Sequence, residues 1–96
     1  MACAYVISQM RITDEAVLEE YRAGVQPVLD KFGGEFIVRG GRYETLEGIE
    51  AMPRQVVMRF PSYQHALYWY NSPDYQRLKE IRQRGCEGDL YVVEGV

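Results

Sequence analysis

The chain has one histidine, two cysteines and no concentration of positive charge, and each shortage closes off a class of chemistry. With His65 alone, neither a His-based catalytic triad nor a multi-histidine metal site can be assembled within one chain. Cys3 and Cys86 are too few for a disulfide framework and lack metal-ligand spacing. Both are expected as reduced, inert thiols, with no metal and no cofactor. Lys and Arg number 11 against 14 Asp and Glu, for a net charge of −3. The basic residues are interleaved with acids, as in Arg77-Leu78-Lys79-Glu80, which argues against a nucleic-acid or anionic-membrane surface. No apolar run approaches the ~20 residues that span a bilayer. The opening MACAYVISQMR has neither the basic start nor the apolar length of a secretory signal, so a cytoplasmic location is the expectation. Glycine pairs occur at Gly33-Gly34 and Gly40-Gly41, but without the strand–loop–helix context of a phosphate loop.

What is present is one domain, residues 1–96, with no repeats or linkers. A chain of this length buries only roughly 60–65% of its unfolded surface, so its stability depends on using that surface well. Residues 3–10 alternate as a strand, Cys3, Tyr5 and Ile7 facing one way and Ala4, Val6 and Ser8 the other. Thr13 is placed to cap a helix whose apolar stripe is Val17, Leu18, Tyr21, Val25, Val28, Leu29 and Phe32. Pro27 predicts a kink in that helix, and Gly33-Gly34 its end. Glu35–Arg39 reads as a strand with Phe36 and Val38 on one face, continued by Tyr43–Leu46 beyond a bend at Gly40-Gly41. A third strand follows at Gln55–Phe60. Ser62 caps a second helix with Tyr63, Ala66, Leu67 and Tyr70 inward, and Ser72-Pro73 starts a third that ends at Gly85 or Gly88. Leu90–Glu94 is the last strand.

The order β-α-β-β-α(α)-β is that of an α+β, ferredoxin-like fold, with a four-stranded antiparallel sheet and helices on one face. Val56-Val57-Met58 and Leu90-Tyr91-Val92-Val93 are apolar on both strand faces, whereas the helices cover only one. The other face is expected to bury itself against a second copy in a two-fold homodimer.

Several stretches together resemble one family. They are Tyr21 with Pro27, Lys31-Phe32-Gly33-Gly34, Val38-Arg39-Gly40-Gly41, Leu46-Glu47-Gly48 and Phe60-Pro61-Ser62. They continue with Trp69-Tyr70-Asn71-Ser72-Pro73-Asp74-Tyr75-Gln76, Arg82 and Val92-Val93-Glu94-Gly95-Val96. Over essentially its whole length the chain resembles the domain of unknown function (DUF) 1330 family of the dimeric α/β-barrel superfamily. The resemblance implies a homodimer with sheets packed face to face, and no assigned reaction or cofactor. Similar folds serve cofactor-free monooxygenases, lactone isomerases, dehalogenating decarboxylases and haem enzymes, so fold alone does not choose a chemistry. Arg59 departs from relatives that often carry an acid before the Phe-Pro pair.

Among individual residues, Arg39, Arg59 and Arg82 stand out because their neighbours are apolar. Such an arginine either pairs with a carboxylate, for which Glu47 and Glu94 are candidates, or clamps the carboxylate or enolate of a small substrate. Tyr5, Tyr21, Tyr70 and Tyr75 either pack in the core or line a polar-tipped pocket. The candidate ligand set is Tyr5, Arg39, Arg59, Tyr70 and Arg82, and the weak candidates for a base are His65 and Glu47. Two functions fit. One is a homodimer that binds a small acidic or phenolic metabolite, with a cofactor-independent oxygenase or isomerase as its catalytic form. The other is a non-catalytic dimerisation or binding module with no active site.

Overall fold

In the computed structural model, which describes residues 2–96, the elements are β1 (Ala4–Ile12), α1 (Glu15–Lys31), β2 (Glu35–Arg39), β3 (Arg54–Phe60), α2 (Tyr63–Asn71), α3 (Pro73–Gly85) and β4 (Cys86–Glu94). All strand pairs are antiparallel, in the sheet order β2-β3-β1-β4. Strand alternation sorts the side chains into two layers. Ala4, Val6, Ser8 and Met10 of β1 and Val56, Met58 and Phe60 of β3 are buried. They meet Leu18, Val25 and Leu29 of α1, Ala66 and Trp69 of α2, and Tyr75 and Leu78 of α3 in one core. Trp69 is wholly buried, its ring centroid 5.2 Å from that of Phe60 and 4.1 Å from that of Tyr75. A side chain so enclosed holds the two short helices to the sheet, and truncating it to alanine costs about 3–5 kcal/mol.

Local chemistry sets the ends of the helices. Asp14, one residue beyond Thr13, is the N-cap of α1, its carboxylate accepting from Val17 N–H at 3.2 Å. The backbone N–H groups of Thr13 and Asp14 donate instead to Gly85 O, at 2.9 and 3.0 Å, tying the start of α1 to the end of α3. Pro27 lies inside a single helix of 17 residues. In α2, Trp69 faces inward while Tyr63, read as inward from spacing, is exposed. The core-facing pair Ala66 and Trp69 is set three residues apart, which turns Tyr63 to the margin of the helix.

Two strand readings change. Phe36 pairs with Met58 but Val38 pairs with Val57, with an irregularity between them. The extra residue, Ile37, moves Val38 to the open face and leaves Phe36 and Arg39 together on the helix side. Beyond Arg39 the chain does not continue as a strand at Tyr43–Leu46. Gly40 adopts φ 75°, which favours glycine, and turns the chain away just where β3 begins at Arg54 and no partner remains. At the other end, β4 starts at Cys86, four residues before Leu90, and pairs with β1 along its whole length. Gly88 allows this, because a side chain there would collide with the backbone of Gln9 and Met10.

The face away from the helices carries Tyr5, Ile7, Val57, Tyr91 and Val93, with Val38 at its margin. Tyr91 is 57% exposed and Val93 44%.

Candidate ligand site

Beneath α1, on the helix side of the sheet, lies a cavity whose floor comes from four strands. Its floor includes Ser8, Met10, Phe36, Arg39, Arg54, Val56, Met58 and Leu90, and its roof Leu18, Tyr21, Arg22 and Val25, with Arg82 of α3 beside them. The register explains the convergence. Leu90, Ser8, Val56 and Arg39 form one row straight across the sheet, and Met10 pairs with Arg54 in the next. The enclosed volume is about 30 Å³, room for about two water molecules. Arg39 is exposed and marks the open side.

The cavity is electropositive inside an acidic protein. Arg22 is neutralised by Glu15 and Glu19, at 2.7 and 2.9 Å. Arg39, Arg54 and Arg82 have no carboxylate partner among the described residues. The Arg39 guanidinium stacks on Phe36, 4.2 Å from the ring centroid. Arg54 lies against Gly40, where a side chain would strike its guanidinium. Burial first, then the charges of Arg22 and Arg39, push the Arg54 pKa down, as expected where like charges share a partly desolvated site. Arg82 is 7% exposed and its Nε has no hydrogen-bond partner; the buried Ser8 Oγ also lacks one. Tyr21 and Tyr75 share a hydrogen bond between hydroxyls at 3.1 Å. Burial pushes both phenols up, well above the usual value for Tyr21, while the Arg82 charge opposes the rise in each. Neutral tyrosine hydroxyls and cationic guanidiniums can donate hydrogen bonds to an oxyanion. The lining contains no carboxylate or imidazole.

The sequence-predicted residues fall into separate places. Arg39 and Arg82 both line this cavity. Tyr5 and Arg59 are cross-strand partners on the opposite face of the sheet, a consequence of strand alternation. There Arg59 pairs with Glu35, neither Glu47 nor Glu94. Tyr5 Oη accepts from Cys3 Sγ at 3.4 Å, a contact that raises the phenol's pKa. Tyr70 borders a larger groove of about 240 Å³ between α2 and β4, lined by apolar and aromatic residues. Glu47 is exposed in the loop after β2. His65 is exposed in the first turn of α2, its Nδ1 2.6 Å from Ser62 Oγ. Cys3 and Cys86 are unpaired thiols, and burial pushes Cys86 up. Ser8, Tyr21 and Arg54 were not among the candidate ligand residues. For Ser8 the available signal was a lone hydroxyl among Ala4, Val6 and Met10. For Arg54 it was a cation on the same side of β3 as Val56, Met58 and Phe60.

No functionally curated protein is significantly similar to the chain. Solved structures of similar fold include a protein of unknown function from Rhodopseudomonas palustris, with TM-score 0.81 and 16% identity over 99% of this chain and 83% of that one. An ethyl tert-butyl ether D (EthD) family protein from Bacillus halodurans C-125 aligns over the full length of both chains, at TM-score 0.59 and 10% identity. A dimeric ferredoxin-like protein of unknown function from Thermobifida fusca YX has TM-score 0.56 and 15% identity over 99% of this chain and 92% of that one. These likenesses establish the fold as ferredoxin-like. The sequence model of DUF1330, a domain of unknown function, matches residues 3–96, and the chain belongs to that family.

Proposed function

We propose that this protein binds a small organic anion, an acidic or phenolic metabolite, in the cavity beneath α1. The observation that carries the reading is the trio Arg39, Arg54 and Arg82, which line one cavity without a carboxylate partner among the described residues. Clustered cations in a partly desolvated site repel one another, and an anionic ligand relieves that repulsion. The apolar walls from Leu18, Val25 and Met58 would take the ligand's hydrocarbon part. The protein works as a homodimer joined through the open sheet faces, a reading supported by the apolar surface there and by the dimeric ferredoxin-like protein of the same fold.

Binding without turnover is favoured over catalysis, because no carboxylate or imidazole lines the cavity to act as a general base. A cofactor-independent oxygenase or isomerase reaction here would have to start from a substrate already ionised, with the arginines stabilising the enolate or phenolate.

A thermal-shift screen tests the binding reading, using organic acids and acidic phenols beside their methyl esters or ethers. A ligand at 100 times its Kd adds about 2.7 kcal/mol to stability. Acids are expected to raise the melting temperature and their neutral counterparts to leave it unchanged. Equal stabilisation by both, or by neither, would overturn the reading.

A further inference from the structure

Resting on that anion site, we propose that the cavity has two anion-binding poles and takes a short dicarboxylate, one carboxylate at Arg82 and Ser8 and the other at Arg39 and Arg54. The inner pole is defined by two buried atoms that lack partners, Arg82 Nε and Ser8 Oγ, on residues that line the same cavity. Buried polar groups in folded proteins are almost always hydrogen-bonded, so these are two donors, on residues lining one cavity, that an entering acceptor would satisfy after a small side-chain shift. Both can donate, and a carboxylate can accept from both. Tyr21, whose hydroxyl is already shared with Tyr75, closes this end. The enclosed part of the cavity, about 30 Å³, suits a carboxylate head, and the rest of the ligand would extend toward the open side at Arg39.

The outer pole is a separate group of charges. Arg39 and Arg54 rise from β2 and β3, toward one edge of the sheet, whereas Ser8 stands on β1 and Arg82 comes from α3. Ser8 and Arg39 stand in one cross-strand row with Val56 between them. Their backbones are therefore two strand spacings apart, roughly 10 Å. The Arg39 guanidinium stacks on Phe36 of its own strand, which keeps the outer pole on β2 and leaves the methylene groups of a diacid to span the row. Val56 and Met58 would lie beneath its methylene groups.

Isothermal titration calorimetry of the intact protein with succinate, glutarate and adipate, beside butyrate and valerate, tests this directly. A second charge-assisted contact of about 1.5–3 kcal/mol predicts that the best diacid binds at least tenfold tighter than the monoacids. Arg54→Gln should weaken diacids more than monoacids and so reduce that preference severalfold, since it removes charge from one pole of the site. Ser8→Ala should weaken mono- and diacids alike. Equal affinity for diacids and monoacids in the unaltered protein would overturn the two-pole arrangement and leave the anion site standing. A preference that survives Arg54→Gln and Arg39→Gln unchanged would also overturn it. Absence of binding by every acid would remove both readings together.

Discussion

Arg82 is the residue on which structure and chemistry disagree most. It sits 7% exposed beside Tyr21 and Tyr75, with no ion-pair partner among the described residues and an orphaned Nε. An arginine kept only for stability would have a carboxylate, because a buried unpaired charge is costly. Replacing it with methionine keeps much of the volume and removes the charge. Arg82→Met is therefore expected to leave unfolding stability in chemical denaturation unchanged or higher. Organic-acid binding should weaken at least tenfold in the same variant, through loss of a charge-assisted contact of about 1.5–3 kcal/mol. A large fall in apo stability would identify the arginine as structural. Tyr21 adds a pH test. Burial holds its phenol well above the usual value, so the folded state prefers the neutral form more than the unfolded chain does. Its stabilising contribution is complete below the unfolded pKa of about 10 and is lost as pH rises toward the folded value. Denaturation midpoints should fall above that pH, and Tyr21→Phe should flatten the fall.

At the scale of elements, one serine joins two helices. Ser72 Oγ accepts from Tyr75 N–H at 3.1 Å and donates to Trp69 O at 2.8 Å, ending α2 and starting α3. Ser72→Ala removes both bonds and should cost about 1–2 kcal/mol, measured by denaturant unfolding; a loss below a few tenths would show that Pro73 and the Trp69–Tyr75 packing suffice. Ser72-Pro73 was legible in the sequence because its signal is local: a capping hydroxyl followed by a residue with the helical φ already set. Element order was legible for the same reason, since each element carries its own period. The bulge at Ile37 was not, because Phe36-Ile37-Val38 is an unbroken apolar run that suits either register, and only pairing with β3 reveals the extra residue. The site shows the same division. Arg39 and Arg82 were visible as cations among apolar neighbours. That they share a cavity, while Tyr5 and Arg59 lie on the other face, depends on register and on which face the helices cover.

For the whole molecule, the helices cover one side of the sheet and leave Tyr5, Ile7, Val57, Tyr91 and Val93 on the other. An obligate dimer through this face should bury roughly 2,000 Å² or more in total. Light scattering is expected to report a dimer across the working concentration range. Val93→Asp should give a folded monomer, since Val93 is 44% exposed within the protomer and its replacement opposes only the partner's surface. A concentration-independent monomer of the unaltered chain would contradict the assembly. The cavity beneath α1 lies on the opposite side of the sheet from that face. The most direct test of the site is a proton–nitrogen correlation spectrum of the arginine Nε–H groups, titrated with a small organic acid. The Arg82 Nε–H resonance is expected to move downfield and saturate, as an orphaned donor gains a carboxylate, while Arg59 stays fixed in its pair with Glu35. An Arg82 signal that does not move as the acid saturates would contradict it.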